Sequence, residues 1–563
     1  MRDTLQKKIA SICQDQFDVQ IEPVLTRPEE QFGDYATNVA MQLAGKLGNP
    51  PAGGPRGIAN QLAEKLSKLD GVQKVEVAGP GFINITLTDE ALINSLKSDV
   101  QRSDLCTKSL AGKKVLVEYS DPNPFKPLHA GHLYTTLVGD VLARLVENAG
   151  AETIRLNFGG DVGRHVGISM WKIIDEFGGE DLEAVKAIPK DSLAAWMGKM
   201  YSEGTAAFEE NDSVKEAVKD ASKKVYAVHA QNDHESAFAQ IYWYLREQSY
   251  EFFTQLYASL QVEQFDRYIP ESEVSAVGFD AVTQHIGDVF TKSDGAVIFD
   301  GEKYGLHTRV FINNEGLPTY EAKDVGLSLT KWQDYKPDES IIITANEQKQ
   351  YMEVVIKAIE QFEPEAARVT KHLTHGFVKL TGGVKMSSRK GNILSANDIL
   401  EAARDAGKEN GQAESEEVML ASVKYALLKN RIGGDIEYDP KESIAMEGNS
   451  GPYLQYAHAR ACSILAKAKK PHTDIVDIDE TERPLVRKLT QYPEAVDLAT
   501  ADLAPHHICT YLYELAQTFN RFYENAKVIG SEREAQRITL VTLYAETLKN
   551  GLNLLGIHAP EKM

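Results

Sequence analysis

The chain has 563 residues, of which 42% are hydrophobic and 25% are charged, a composition that is ordinary for a soluble globular protein. This length is too great for a single hydrophobic core, so we expect three or four domains. The net charge of −21, from 61 Lys and Arg residues against 82 Asp and Glu residues, argues against non-specific binding to a polyanion, although a structured RNA could still dock on local basic and aromatic patches.

Residues 1–110 are predicted to form a small, separate α/β domain. Residues 1–17 lack the apolar core of a signal peptide and fit an amphipathic helix. A second helix is expected to begin with the sequence GDYATN at residues 33–38 and to run through Leu43. After a loop rich in glycine and proline, VQKVEVAGPGFINITL alternates in the manner of a strand, a turn and a second strand.

Residues 115–150 are the segment on which the prediction of function depends most. Residues 115–119 are apolar and β-branched, which predicts a strand, and three prolines force an irregular loop before the sequence HAGH at 129–132 leads into a helix that stops at Gly150. Helix N-termini at the carboxyl ends of parallel strands attract phosphate, so this junction predicts a nucleotide site. Taken alone, a His-x-Gly-His tetrapeptide occurs more often by chance, or as a metal or capping cluster, than as a nucleotide site.

A β-rich segment at residues 152–158 ends in the glycine-rich sequence GGDVG, residues 159–163. Strand, helix and strand in this order predict a parallel, doubly wound sheet. Residues 175–275 have helical periodicity and many acidic side chains, so we expect a helical insertion there. The aromatic residues of this insertion are interpreted as core, and its histidines as structural or exposed.

Strands return after Gly295 with AVIFD, TRVFIN and ESIIITA. Between the last two, a helix is expected to begin near Tyr320, on which Asp324 faces the same way because four residues make about one turn. Gln348 follows the carboxyl end of ESIIITA, where ligands bind in parallel sheets. A helix at 348–362 and a strand HGFVKL precede GGVKMSSRKG at 382–391, whose charge run is either a solvated surface or, given the first motif, an anion-binding loop.

Everything from Ser450 to Met563 is predicted to be helical. Within these helices Tyr456 and Tyr523, considered alone, are expected to be packing residues with polar tips. The four cysteines, at positions 13, 106, 462 and 509, are too scattered for a zinc knuckle or a disulfide framework. This favours a cytoplasmic protein without protein-bound zinc.

The motifs at 129–132 and 385–388 together resemble the HIGH and KMSKS signatures of class I aminoacyl-tRNA synthetases. GDYATNVAMQLA, AGPGFINI and the C-terminal helical stretches are similar to arginyl-tRNA synthetases in particular. The resemblance implies three domains: an α/β domain that binds the tRNA D-loop (1–110), a doubly wound, Rossmann-like catalytic domain (111–435) with its helical insertion at about 175–275, and an all-α anticodon-binding bundle (436–563).

The implied activity is ATP-dependent ligation of arginine to its tRNA through an arginyl-adenylate. His129, His132 and Lys385 are the implied catalytic residues, as donors to the phosphates of ATP, which binds with Mg²⁺. The positions that match the family's ATP site are His129, Gly131, His132, Gly160, Asp161, Gly163, Lys385, Met386, Ser387 and Ser388. Two features depart from the common family pattern: Val162 replaces a usual tryptophan, and Lys385 is retained where most members have lost it.

The positions that match the family's arginine site are Glu118, Asn123, Tyr320, Asp324 and Gln348. A guanidinium offers five N–H donors in a rigid plane and requires carboxylates to accept them, which Glu118 and Asp324 can provide. Asn123 and Gln348 are expected to hold the α-amino and carboxylate end of the amino acid.

The positions that match the family's tRNA contacts are Phe82, Asn84, Tyr456, Arg460, Tyr523 and Met563. An aromatic ring can stack on an unstacked base, and an amide or guanidinium can read its edge. Phe82 could equally be a core residue of its strand. The implied partners are tRNA(Arg), arginine and ATP, with no membrane, and the implied state is a monomer that needs tRNA before it activates arginine.

Three other hypotheses about the function remain open from the sequence. One is a synthetase for another amino acid such as cysteine or glutamate, against which the missing zinc ligands and the N-terminal module argue. Another is a small nucleotidyltransferase of the HIGH superfamily, which would not need the C-terminal helices. The last is a tRNA-binding paralogue without catalysis, which the altered GDVG turn keeps possible although both motifs are intact.

Overall fold

The computed structural model describes residues 1–48, 51–99, 108–381, 394–409, 415–469 and 473–563. The N-terminal domain packs helices against a four-stranded antiparallel sheet of order β1-β2-β4-β3. Its elements are α1 (Arg2–Phe17), β1 (Leu25–Thr26), β2 (Tyr35–Thr37), α2 (Val39–Lys46), α3 (Gly54–Leu66), β3 (Val72–Ala78), β4 (Phe82–Leu87) and α4 (Asp89–Asp99).

The prediction that residues 33–38 begin a helix is wrong. Residues 35–37 form strand β2, whose three side chains are buried, and they pair with residues 83–85 of β4. The helix begins only at Val39. Pairing with the distant strand β4 overrides the local helical pattern here. Local sequence patterns often fail for β-structure in this way, because a strand depends on its pairing partners.

The central part of the chain contains the second group of elements. In chain order they are β5 (Lys114–Glu118), α5 (Ala130–Asn148), β6 (Glu152–Gly159), α6 (Arg164–Phe177), α7 (Leu182–Lys186), α8 (Lys190–Glu210), α9 (Asp212–Ala230), α10 (Ala237–Ser259), β7 (Arg267–Pro270), α11 (Glu271–Gln284), β8 (Thr291–Ser293), β9 (Ala296–Phe299), β10 (Arg309–Ile312), α12 (Tyr320–Tyr335), β11 (Glu339–Ala345), α13 (Lys349–Glu360), α14 (Pro364–Val369), β12 (Thr370–His375), β13 (Val378–Leu380), α15 (Ala396–Glu409), α16 (Glu416–Leu428), β14 (Ile436–Tyr438) and α17 (Pro440–Ser443).

Five strands of this region form a parallel sheet of order β12-β11-β5-β6-β7, so the predicted doubly wound sheet is confirmed. The chain leaves β5 toward β6 on one side and later adds β11 on the other. The carboxyl ends of β5 and β11 therefore flank the topological switch point, which is the place where such sheets bind ligands.

The predicted helical insertion extends too far at its carboxyl end. Helices α7–α10 fill residues 182–259, but β7 at 267–270 is a strand of the main sheet and pairs with β6. Its sequence RYIP has a single fully buried side chain, Ile269, so it lacks the apolar run that marks a buried parallel strand. The predicted strand HGFVKL is also divided, because β12 ends at His375 and β13 pairs with β14 in a separate two-stranded sheet.

Helices α11 and α12 lie unusually close together because glycines meet at their crossing. A Cβ at Gly278 would lie 1.8 Å from the carbonyl oxygen of Ala322, and one at Gly326 would lie 2.2 Å from that of Val274. This contact fixes the position of α12, which carries Tyr320 and Asp324.

From residue 451 onward, every element that the structure describes is a helix, as predicted. The helices are α18 (Gly451–Ala466), α19 (Arg483–Leu489), α20 (Tyr492–Ala501), α21 (His506–Asn525) and α22 (Glu534–Leu554). Helix α5 packs between the parallel sheet and these helices. Within the described parts of the chain, no helix has the length and apolar character needed to cross a bilayer.

Candidate active site

A cavity of 560 Å³ opens at the switch point of the parallel sheet. Its walls come from the end of β5, the loop that follows, the start of α5, the end of β11 and the first turn of α12. The predicted residues that line it are Glu118, Asn123, His129, Gly131, His132, Gly160, Tyr320, Asp324 and Gln348. Residues more than 200 positions apart in the chain thus meet at one site.

Lys385, Met386, Ser387 and Ser388 lie outside the described residues, so their predicted roles remain predictions. The chain is described again from Leu394, whose carbonyl oxygen accepts a hydrogen bond of 2.8 Å from the N–H of Ala130. Leu394 therefore lies directly beside the first residue of α5.

Two of the predicted ATP residues, Asp161 and Gly163, do not line the cavity. Asp161 is fully buried, and its carboxylate accepts hydrogen bonds from the N–H and hydroxyl of Ser272 at 2.9 and 2.7 Å and from Arg246 at 2.9 Å. This carboxylate caps the start of α11 and anchors the insertion through Arg246. In this structure its role is to hold elements together beside the site.

His129 and His132 form a reciprocal cap at the start of α5. The N–H of each residue donates to the Nδ1 of the other at 3.3 Å, and the two rings stack with centroids 3.7 Å apart. A Cβ at position 131 would lie 2.9 Å from the His129 ring, so only glycine allows this arrangement. Because both Nδ1 atoms accept, the neutral rings carry their proton on Nε2, and each can donate one hydrogen bond.

Burial keeps both imidazoles neutral. Burial lowers the pKa of His129 to about 4, with a smaller contribution from Lys126, and it lowers the pKa of His132 well below its ordinary value, with His129 adding to the effect. Two fixed, uncharged N–H donors at a helix N-terminus suit an anionic group such as a phosphate.

Three carboxyl groups crowd the floor of the cavity, and one ammonium compensates them. Glu118 is buried and pairs with Lys331 at 2.6 Å. Burial raises the pKa of Asp324 to about 7; the hydroxyl of Tyr351 donates to this carboxyl and opposes the rise, while the charge on Glu118 adds to it. Burial also raises the pKa of Asp121 well above its ordinary value, and Glu118 contributes further.

An excess of buried acid over base at one site favours the binding of a cation, because a positive ligand restores the ionised carboxylates. Tyr320, which is 55% exposed, stands at the mouth of the same cavity and can cover such a ligand. Glu118 and Asp324, the carboxylates predicted to bind a guanidinium, therefore line the same cavity, and Glu118 already shares its charge with Lys331.

The loop after β5 is held in an unusual conformation. Ser120, Asp121 and Phe125 have φ values of 73°, 49° and 68°, in the left-handed region that costs non-glycine residues about 1–3 kcal/mol each. Among the hydrogen bonds that hold the loop in place, the N–H of Phe158 donates to Asp121 at 2.7 Å, and the hydroxyls of Ser120 and Tyr257 lie 2.8 Å apart. Such strain is typical of functional sites.

Sequence reasoning missed Asp121 and Glu271. Asp121 lies three residues after Glu118 at the same strand end, so the rule that ligands bind at carboxyl ends of strands could have identified it. Glu271 lines the cavity and pairs with the buried Lys323 at 2.6 Å. It directly follows β7, and because that strand was not recognised no signal pointed to it.

Asn123 and Gln348, which were predicted to hold the α-amino and carboxylate end of the amino acid, both line the cavity. The side-chain carbonyl of Asn123 accepts a hydrogen bond of 2.8 Å from the N–H of Gly160. This bond orients the amide and leaves its NH₂ group as a donor, which suits a carboxylate ligand.

The predicted tRNA-contacting residues lie on the surfaces of the other two domains. Phe82 is 43% exposed and shares the outer face of β4 with Asn84, while Ile83 and Ile85 point inward. The reading of Phe82 as a core residue is therefore wrong. An exposed ring with an amide two residues away is a suitable surface for an unstacked base.

On the C-terminal bundle, Tyr456 and Tyr523 are 45% and 37% exposed, so they are not core packing residues. The Arg460 guanidinium lies 4.7 Å from the centre of the Tyr523 ring, and Arg460 is one helical turn from Tyr456 on α18. Met563 is exposed at the chain end, and the carbonyl of Pro560 is 2.8 Å from Nδ1 of His458 on the same helix. Tyr456, Arg460 and Tyr523 thus form one aromatic and basic surface.

Among the described residues, no group of three or more His, Cys, Asp or Glu side chains is arranged to hold a metal ion. The three cysteines in that part of the chain, Cys13, Cys462 and Cys509, are not in disulfides. Burial raises the pKa of the Cys13 thiol to about 11, so this sulfur is a buried packing group.

Models of three known protein families together match almost the whole chain. Residues 1–87 match the model of the arginyl-tRNA synthetase N-terminal domain, residues 93–438 that of the class I tRNA synthetase (R) catalytic domain, and residues 454–563 that of the DALR anticodon-binding domain.

Individual relatives give the same result. The arginine–tRNA ligase of Rippkaea orientalis is 31% identical over 96% of this chain and 96% of its own length. That of Clostridium perfringens is 30% identical over 99% of this chain and 100% of its own length. Among solved structures, the Thermus thermophilus arginyl-tRNA synthetase matches all of both chains with a TM-score of 0.80 and 24% identity, a likeness of fold.

Proposed function

The chain belongs to the arginyl-tRNA synthetase family, and we propose that the acidic cavity between β5 and β11 is where it activates arginine. The enzyme uses ATP to ligate arginine to its tRNA, and the adenylate route is standard for this family. The observation that carries the site assignment is a cluster of three carboxyl groups, the buried Glu118 and the half-buried Asp121 and Asp324, that share one lysine next to two neutral imidazoles.

We assign the guanidinium of arginine to Asp324 and the free oxygen of Glu118, with Tyr320 covering it from the mouth. Asp121 adds a third acid that the sequence did not reveal. The ionised form of Asp324 is favoured once a cation binds, because a positive charge opposes the effect of burial. Asn123 and Gln348 hold the amino and carboxylate end, which places the carboxylate on the side toward α5.

The first chemical step is attack of the arginine carboxylate on the α-phosphorus of ATP, with loss of pyrophosphate. Nε2–H of His129 and of His132 donate to phosphate oxygens as negative charge develops there, in the manner of an oxyanion hole. Removal of one such donor typically costs about 3 kcal/mol of transition-state stabilisation. Gly160 and Gly131 allow the nucleotide to approach the backbone, and Lys385, Met386, Ser387 and Ser388 are assigned to the pyrophosphate from the family pattern. Mg²⁺ enters with ATP as part of the substrate.

The second step transfers the arginyl group from the adenylate to a ribose hydroxyl at the end of the tRNA, which takes the place of AMP as the acyl carrier, and AMP is released. Phe82 and Asn84 are assigned to the D-loop, and Tyr456, Arg460, Tyr523 and Met563 to the anticodon. The exposure of Phe82, Tyr456, Tyr523 and Met563 on the two outer domains supports this. We further propose domain limits of 1–110, 111–435 and 436–563, and a monomeric enzyme of the cytoplasm, as the family pattern implies.

Arginine-dependent exchange of pyrophosphate into ATP, measured with and without tRNA(Arg), tests this function. Exchange with arginine in the presence of tRNA, and none with lysine or cysteine, is the expected result. Exchange with a different amino acid would overturn the arginine site. No exchange with any amino acid in the presence of tRNA would leave a protein that only binds tRNA.

A further inference from the structure

A second cavity, of 660 Å³, lies at the seam between the catalytic domain and the C-terminal helices. One wall is formed by β12 with the start of α13 and residues 431–432, and the other by the turn between α20 and α21. We call it the seam groove and define it by its basic side chains, which are Lys349, His372, Arg431, His506 and His507.

The two permanent cations of the seam groove lack acidic partners. Lys349 and Arg431 are exposed, and neither has a carboxylate within 4.0 Å in the part of the chain that the structure describes. Lys371, on the adjacent strand, shows the commoner situation, since it pairs with Glu339 at 2.8 Å. Asp502 also lines the groove, and its carboxylate is 3.1 Å from the imidazole of His507. The chain as a whole is acidic, with a net charge of −21. Unpaired cations gathered in one groove of such a chain therefore indicate a site for an anionic ligand.

The remaining histidines of the groove supply neutral polar groups. Burial lowers the pKa of His372 to about 4, with Lys349 adding to the effect, and its Nε2 lies 2.7 Å from the hydroxyl of Thr344. Burial also lowers the pKa of His506, and Nδ1 of this residue is buried without a hydrogen-bond partner among the described residues. A buried polar atom of this kind is satisfied when a ligand or water reaches it.

The position of the seam groove connects the two functional surfaces. Strand β12 leads from His372 in the groove to His375 in the active-site cavity, a distance of about 10 Å at the usual rise of a strand. Helix α21 begins with His506 in the groove and carries Tyr523 near its other end, about 25 Å away at 1.5 Å per residue. A ligand that reaches both the cavity and the Tyr523 surface therefore passes beside the groove.

We propose that the seam groove binds backbone phosphates of the tRNA, between the acceptor end at the cavity and the anticodon at the C-terminal bundle. Lys349 and Arg431 supply the charge, and the imidazoles of the groove supply hydrogen bonds. Contacts of this type position an RNA without reading its sequence. The inference rests on the proposed function, because it takes the tRNA as the ligand.

The test compares the binding of an unmodified tRNA(Arg) transcript to three forms of the full-length enzyme over a range of salt concentrations. The double variant Lys349→Ala, Arg431→Ala removes the two unpaired cations. The exchange variant Lys349→Arg, Arg431→Lys keeps them. The matched control Lys357→Ala, Lys408→Ala makes the same change in net charge at two lysines that do not line the groove and that pair with nearby acids.

We expect the first variant to bind the transcript about tenfold more weakly at 150 mM salt, because two phosphate contacts are lost. The slope of log K against log salt should fall by about 1.4 to 1.8, since each contact contributes about 0.7 to 0.9. The exchange variant and the matched control should behave as wild type, and the turnover number at saturating tRNA should be unchanged in all three.

Wild-type affinity and salt slope in the Lys349→Ala, Arg431→Ala variant would overturn the seam groove as a phosphate site, as would an equal loss in the matched control. Neither result would touch the proposed function, whose failure is a different observation: a wild-type enzyme that does not charge tRNA with arginine.

Discussion

Two clusters of charged side chains among the described residues differ in their balance of acid and base. At the interface between the N-terminal domain and the C-terminal helices, Arg483 and Arg487 approach Asp34 at 2.9 and 3.2 Å, and Arg27 pairs with Glu494 at 2.7 Å. Every charge there has an opposite neighbour. In the active-site cavity, Glu271 has its own partner in Lys323, but Glu118, Asp121 and Asp324 share Lys331.

This difference separates a structural role from a binding role. A balanced cluster satisfies its own charges, and its removal leaves unpaired charges at a buried interface. An unbalanced acidic cluster destabilises its own ionised form until a cation arrives, and perturbed carboxyl pKa values at such a place indicate a functional site. The two clusters should therefore respond in opposite ways when one carboxylate is removed.

The largest effect is expected from Asp324→Ala. Loss of this carboxylate should lower kcat/KM for arginine by at least 100-fold, because a buried partner of a charged ligand contributes about 3 kcal/mol or more. The KM for ATP should change little, since the imidazoles of α5 are intact. Steady-state kinetics with each substrate varied in turn would measure both, and near-normal use of arginine would refute the pocket.

The isosteric variant Asp324→Asn tests whether Asp324 has a binding role rather than the structural role of Asp34 at the interface. Its thermal unfolding temperature should equal or exceed that of wild type, because a carboxyl whose pKa is raised by burial opposes folding once it ionises. A clear loss of stability in this variant would mean that Asp324 holds the fold, as Asp34 does.

Asp34→Asn should produce the opposite pattern. The carboxylate of Asp34 is fully buried, faces two guanidinium groups and also accepts the N–H of Leu87 at 2.7 Å. Breaking such a cluster costs about 3 kcal/mol. Limited proteolysis should release the N-terminal domain faster than in wild type, while arginine-dependent pyrophosphate exchange at saturating tRNA is kept. Proteolysis at the wild-type rate would show that the interface does not depend on this cluster.

The pH dependence of arginine binding gives a smaller effect of predictable sign. The pKa of Asp324 is raised to about 7, so the carboxyl becomes protonated as the pH falls through 7 and loses its attraction for a guanidinium. The KM for arginine should therefore rise roughly tenfold for each pH unit below 7. The KM for ATP should stay flat over the same range, because the pKa of His129 lies near 4. A flat arginine profile in wild type, or an unchanged slope in Asp324→Asn, would contradict this assignment.

The parts of the site that the sequence could predict are those that local rules locate. His129 and His132 begin a helix after a strand, Glu118 ends a strand, and Asp324 lies one turn from Tyr320, so periodicity and the switch-point rule were sufficient, together with the family resemblance. The parallel sheet followed from the same pattern. These positions depend on the order of elements, which a single sequence carries.

The parts that could not be predicted depend on contacts between distant segments. The pairing of Glu118 with Lys331 joins residues 213 positions apart, and the hydroxyl of Tyr351 reaches Asp324 from another helix. Strand β7 was missed because only Ile269 is fully buried in it, and Glu271 was lost with it. Conversely, the buried position of Asp161 depends on Arg246 of the insertion, which no local pattern relates to the GDVG turn.

The smallest effect is expected at Phe82, which lies in the same domain as Asp34 but outside the charge cluster. Phe82→Ala should weaken tRNA(Arg) binding by about 1–2 kcal/mol, or roughly 5- to 30-fold, because stacking of one base on an aromatic ring contributes about that much. Since the ring is 43% exposed, the free energy of unfolding should change by no more than about 0.5 kcal/mol.

Phe252→Ala is a matched control, because that ring is 37% exposed on α10 and has no assigned role. Phe82→Tyr should retain binding, as a ring remains available. If Phe82→Ala and Phe252→Ala bound tRNA equally well, the N-terminal domain would have to contact the tRNA elsewhere, whereas a loss of stability in Phe82→Ala would show that this ring supports the fold as Asp34 does.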